Sequence, residues 1–204
     1  WDNEMGKSGK DPDSKCALLQ DYHSKLWSKR LPNGATLDLN KGYGKNYLTW
    51  NSFRVGSDSI IVSFRYEKYK EMIYKVMKTV PDYKDFIENY LKISNTIGGF
   101  IIFPKRKGGI NQTRGCNDRI KDRFDLTLEC IRKYYIGERS PLSTVLEQDK
   151  AFFNLFLDFK GYIEFFFLQD LVSNDYTKIN FWLGEGDMNQ DPLPKTVDEY
   201  LNFI

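Results

Sequence analysis

The chain has 204 residues, 28% of them charged and 41% apolar, with 30 Lys and Arg against 28 Asp and Glu. An aromatic content of 16% excludes a disordered chain, and this length buries enough surface to fold without disulfide or metal staples. Three cysteines with no CxxC spacing and a single histidine exclude a disulfide framework, a structural zinc site and any centre built on two histidines.

Residues 1–13 are polar and rich in Gly and Asp, and read as an irregular arm; residues 14–204 read as one globular α+β domain. Ser14 stands ahead of Cys16, Leu19, Tyr22, His23 and Leu26, whose spacing predicts a helix with all five on one face. Leu31-Pro32-Asn33-Gly34 ends that helix in a turn. Residues 37–39, 47–50 and 53–55 read as short strands, and 59–64 as a buried strand or the start of a helix. Helical spacing returns at Tyr69, Met72, Ile73, Val76 and Met77, stops at Pro81, and resumes over 82–93.

Residues 97–103 make the strongest strand of the chain, and Gly98-Gly99 suggest the close approach of another backbone or a ligand. A basic, Gly-rich loop follows, Lys105-Arg106-Lys107-Gly108-Gly109. Asn117 or Asp118 is expected to cap a long helix ending near Tyr135, with Gly137 at its C-terminal turn. Ser140-Pro141 predicts the start of another helix. The Phe-rich block from Phe152 to Leu168 reads as the domain core, two buried helices separated at Gly161. Residues 179–183 suggest a last strand and 197–204 a closing helix, giving a helix-rich domain around a small mixed or antiparallel sheet.

Charge is uneven. Residues 1–137 hold 25 Lys and Arg against 16 Asp and Glu, and residues 138–204 hold 5 against 12. The strongest local excess lies between Lys105 and Arg123, with seven basic residues against two acidic. Lys105, Arg106, Asn111, Arg114, Asn117 and Arg123 are therefore the candidate contacts for phosphate or another anion, Arg for its bidentate fork. No Walker or GxGxxG pattern accompanies them.

Asp122, Asp125, Glu129 and Arg132 recur at helical spacing and share a face. Asp125 and Glu129 could serve as acid and base or attract a divalent cation, Mg²⁺ or Mn²⁺. The same stripe equally fits an ion-pair ladder in which Asp125 and Glu129 hold Arg123 and Arg132, the commoner arrangement on helices. His23 is the remaining catalytic candidate, the side chain that titrates nearest neutrality, oriented by a distant acid such as Asp11, Asp13 or Asp125. Beside Leu19 and Leu26 it also fits a hydrogen-bonded residue at the edge of the core.

Several phrases together resemble an uncharacterised bacterial and prophage domain-of-unknown-function family. They include Tyr22-His23 with Leu26-Trp27-Ser28-Lys29, Leu31-Pro32-Asn33-Gly34, Ser57-Asp58-Ser59-Ile60, Ile97-Gly98-Gly99, Asp122 through Arg132, and Asp158-Phe159-Lys160-Gly161-Tyr162. The resemblance spans nearly the whole chain and implies a bacterial or phage protein, with a role in phage–host conflict by association. It transfers no activity. The opening Trp1-Asp2-Asn3-Glu4 lacks a signal-peptide pattern, no apolar run reaches the roughly 20 residues of a membrane span, and the thiols fit a reducing compartment, so a cytoplasmic location is expected.

Two functions follow as expectations. One is binding of, or catalysis on, a phosphate-bearing ligand: RNA, DNA or a nucleotide. The other is a non-catalytic protein-interaction module, antitoxin-like or an anti-defence inhibitor, whose acidic last third would dock a basic partner. Catalysis itself stays open at this level.

Overall fold

The computed structural model describes residues 16–41, 47–51, 53–60, 70–94, 96–114, 119–121, 123–181, 188 and 194–203. The expected arm at 1–13, Asn117 and Asp122 lie outside the described residues.

The fold is α+β. Strands β1 (Asn40–Lys41), β2 (Leu48–Trp50), β3 (Phe53–Ser59) and β4 (Phe100–Pro104) form one sheet in that order. Each pair is antiparallel, and β3 meets β4 in the register Val55↔Pro104 to Ser59↔Phe100. Helix α1 (Ala17–Trp27) precedes the sheet, and α2 (Lys70–Thr79) and α3 (Tyr83–Ser94) lie between β3 and β4. After β4 come α4 (Ile110–Thr113), α5 (Phe124–Tyr135), α6 (Ser143–Gln148), α7 (Lys150–Phe153), α8 (Phe159–Phe166) and α9 (Val197–Phe203).

Strand β4 is the apolar segment Phe100-Ile101-Ile102-Phe103-Pro104, buried throughout, so it must be covered on both faces. Helix α5 is buried along eight consecutive residues from Phe124 to Ile131. A helix this enclosed can keep Arg123, Asp125 and Glu129 only because they pair with one another and with Arg132. Around it, Phe152, Phe153, Phe156, Tyr162, Phe165 and Phe166 pack edge-to-face or tilted, with ring centroids 4.9–6.0 Å apart. Trp27 of α1 joins this cluster against Phe166, 4.9 Å between centroids.

Several elements differ from the sequence expectation, each for a local reason. Gly161 does not separate two helices but lies inside α8. The break falls instead at Leu157, which has positive φ, and Asp158, whose carboxylate caps α8 by accepting the Gly161 N–H at 2.7 Å. A Cβ at Gly161 would lie 2.1 Å from the Phe156 carbonyl oxygen, so only glycine lets the helix fold back this closely. Helix α5 starts at Phe124, well after Asn117, with Arg123 in extended conformation before it. Ile97–Gly99 form a 3-10 turn ahead of β4, and the Gly99 carbonyl accepts the Ile60 N–H at 3.0 Å, the close backbone approach expected there. Residues 37–39 are not a strand, and Ile179 makes only an isolated bridge to Val172. Helix α6 begins at Ser143, after Ser140-Pro141. On α1 the core face holds Leu19, Gln20, His23 and Trp27, whereas Tyr22 is exposed.

Candidate functional site

Three of the predicted site residues, from two helices, meet on consecutive residues of β3. His23 of α1 places Nε2 2.9 Å from Ser57 Oγ. Asn111 of α4 donates from Nδ2 to the Ser57 carbonyl at 3.5 Å. Arg114, just past the end of α4, donates from Nε to Asp58 Oδ2 at 2.8 Å and from Nη2 to Oδ1 at 2.9 Å. Its Nη2 also reaches the Ser59 carbonyl at 2.9 Å, and Nη1 reaches Thr127 Oγ1 of α5 at 3.4 Å.

Local sequence explains the approach. Gly109 precedes α4, and Thr113 folds its hydroxyl back onto the Gly109 carbonyl at 3.0 Å, closing the single turn. Arg114 then leaves the helix with ψ near −104°, and its buried side chain points at β3. The run Ser57-Asp58-Ser59 is the polar stretch of a strand paired along Ile102, Ile101 and Phe100, so its side chains need partners from the neighbouring helices.

His23 has a determined tautomer. Trp27 Nε1, which can only donate, gives its hydrogen to His23 Nδ1 at 2.9 Å. Burial lowers the His23 pKa to about 4, so the ring is neutral and its proton sits on Nε2, donated to Ser57 Oγ. In this arrangement neither ring nitrogen offers a lone pair to a substrate proton. His23 holds Ser57 in place rather than activating it as a nucleophile.

Among the described residues, Asn111 Oδ1 at the junction, the Tyr162 hydroxyl on α8 and Asp149 Oδ2 ahead of α7 are buried without a hydrogen-bond partner. Burial pushes the Tyr162 phenol far up, and the positive charge of Arg114 acts against that shift. Unpartnered buried polar atoms are uncommon, and a held water or ligand is one of the arrangements that satisfies them.

The other predicted residues are held elsewhere. Arg106 donates to Asp149 Oδ1 at 2.5 Å and to Gln148 Oε1 at 2.8 Å, tying the basic loop to the joint between α6 and α7. Lys105 lays its stem over Gly56, where a Cβ would come within 2.7 Å of its Cδ. Arg123 forms a bidentate pair with Asp125, both fully buried, and Asp125 Oδ1 also accepts the Leu126 N–H at 2.9 Å. Glu129 receives Arg132 at 2.7 and 2.9 Å. Asp125 and Glu129 are thus engaged in the ladder along α5. Among the described residues no group of three or more His, Cys, Asp or Glu is arranged to hold a metal ion.

Sequence reasoning missed Ser57, Asp58, Thr127 and Tyr162. The signal was present for two of them: a Ser-Asp-Ser run inside a strand that must be half-buried. Near the junction lies a cavity of about 280 Å³, walled by Trp27, Ile60, Ile97, Phe166 and Phe167, with Asp170 at its edge.

A family of unknown function, DUF6994, matches residues 2–204. The chain belongs to that family. No curated protein and no solved structure matches it. The DUF6994 match covers β3, both partner helices and the cavity, so the junction lies wholly within the family's domain. No helix among the described residues of this DUF6994 chain is long and apolar enough to cross a membrane.

Proposed function

We propose that this protein binds a phosphate-bearing ligand at the β3 junction, a nucleotide rather than a nucleic-acid strand. The observation that carries the reading is the Arg114 guanidinium, buried and presented edge-on to a carboxylate through two parallel hydrogen bonds. A phosphate oxygen pair uses the same fork. Asp58 keeps 16% of its side chain exposed against 6% for Arg114, so the pair is reached from solvent on the carboxylate side, and a phosphate takes the fork by displacing Asp58. Asn111 Oδ1, without a partner among the described residues, adds an acceptor beside Ser57 for the rest of the ligand.

A small ligand is favoured over a strand by how the arginines are used. Arg106, Arg114, Arg123 and Arg132 each hold an internal carboxylate instead of forming an open basic track. Binding is favoured over proton-transfer catalysis because His23 donates through Nε2 and accepts through Nδ1. Bacterial or prophage origin, a cytoplasmic location and a part in phage–host conflict belong to this proposal and rest on the sequence resemblance.

Calorimetric titration at low salt with inorganic phosphate and the nucleoside monophosphates tests the reading. Saturable binding that weakens at least about tenfold in Asn111→Ala supports it, the loss expected for one well-placed polar contact. No heat with any of these probes removes it and favours the interaction-module alternative.

A further inference from the structure

Three pieces of chain far apart in sequence enclose the cavity of about 280 Å³. Helix α1 supplies Leu26 and Trp27, the 3-10 turn ahead of β4 supplies Ile97 and Gly98, and the end of α8 with the residues after it supplies Phe166 and Leu168. Gly98 brings no side chain to the wall. Among the described residues a Cβ there would meet only Thr96 Oγ1 within 4 Å, at 3.7 Å, so the space beside it is free.

The hydrogen-bond donors around this space are already spent. The Ile60 N–H donates to the Gly99 carbonyl, the Leu168 N–H to that of Ile163 and the Leu171 N–H to that of Leu168, each at 3.0 Å. The Phe100 N–H returns to the Ile97 carbonyl, and the Trp27 indole N–H goes to His23. The buried side-chain atoms without a partner, on Asn111, Asp149 and Tyr162, all belong to residues outside the cavity wall. Asp170, the charged residue of the lining, is exposed and keeps its hydration with the cavity full or empty. Water in such a hollow finds few partners, and a polar ligand would give up its hydration for nothing in return. An apolar ligand gains by entering.

Phe167 adds an independent sign of occupancy. It lines the same cavity while 62% exposed, so it stands at the opening. It ends α8 with φ near 58°, a left-handed conformation that glycine takes freely and a bulky residue takes only under strain. Its ring tilts against Trp27 at 6.0 Å between centroids. A strained aromatic ring at the opening of an apolar cavity is placed to cover what enters.

Volume sets the size of the guest. The cavity takes about nine groups of the roughly 30 Å³ that one water molecule occupies in the liquid, and a methylene is of that size. We propose that this cavity binds an uncharged hydrocarbon chain of up to about nine carbons, at a second site that does not rest on the proposed phosphate site. The test is calorimetric titration of the full chain with the straight-chain 1-alcohols from pentanol to undecanol. Affinity is expected to rise about fourfold with each added methylene, the gain of burying one such group, and to level off near nonanol. Gly98→Phe, which puts a ring into the free space, should weaken nonanol at least about tenfold. Absence of saturable binding overturns the proposal. So does affinity that climbs through undecanol without a break, the behaviour of partition onto an open surface. Nonanol binding to a folded Gly98→Phe protein as tightly as to wild type overturns it as well. If that variant fails to fold, the alcohol series on wild type decides alone.

Discussion

Arg114 and Arg123 are nine residues apart in sequence, and both are buried in bidentate pairs with an aspartate. Their partners differ in origin. Arg123 takes Asp125, two residues away, at the head of the helix it precedes. Arg114 takes Asp58, 56 residues away on β3, and also touches Thr127 of α5. The first pair lets charges enter the core on α5; the second ties a strand, a turn and a helix together and leaves one partner partly open to solvent. A closed local pair neutralises itself, whereas the proposed phosphate site requires the long-range pair to exchange its carboxylate for a ligand.

The largest effect is expected where that distinction is sharpest. Arg114→Ala removes the tie between elements and breaks the bidentate pair with the largely buried Asp58, and should cost about 4 kcal/mol in urea unfolding. Asp125→Asn strands Arg123 in the core and should cost about 3 kcal/mol. Adding Mg²⁺ or Mn²⁺ should not move the melting temperature of wild type or of Asp125→Asn, because Asp125 and Glu129 already hold arginines. A metal-dependent rise in wild type that vanishes in the mutant would instead make α5 the working site and reverse the comparison.

Acid titration probes the junction through His23. Its pKa falls from 6.5 unfolded to about 4 folded, so the unfolded chain binds the extra proton between those values. Stability therefore drops as pH falls from 6.5 toward 4, by about 3 kcal/mol in total. His23→Gln should flatten this slope in pH-dependent denaturation curves; an unchanged slope would show that another group carries it. The smallest effect is expected at Glu129→Gln, about 1 kcal/mol, since the Glu129–Arg132 pair is partly solvated.

The same contrast explains what the sequence revealed. The ladder of Asp125, Glu129, Arg123 and Arg132 was legible because helical periodicity puts its members within one turn of each other. The apolar run of β4 and the aromatic core from Phe152 to Phe166 were legible for the same local reason. Periodicity says nothing about contacts 34 or 56 residues apart, so the expected acid partner of His23 is in fact a hydroxyl on β3 and an indole on its own helix. The indole was within reach of sequence reasoning, since Trp27 lies one turn after His23. Gly161 was misread because a helix-interior glycine usually marks a break, and its cause here, the Phe156 carbonyl, is a tertiary contact.

Asp58→Asn tests the central claim most directly. The substitution discharges the carboxylate that holds Arg114 while leaving a side chain of the same shape. If Arg114 is the phosphate contact, calorimetric titration should show inorganic phosphate and the nucleoside monophosphates binding to Asp58→Asn at least about tenfold tighter than to wild type, because the ligand no longer competes with an internal anion. Binding that is unchanged or weaker, with the variant still folded by circular dichroism, would show that the Asp58–Arg114 pair is a strut of the fold and not a ligand site.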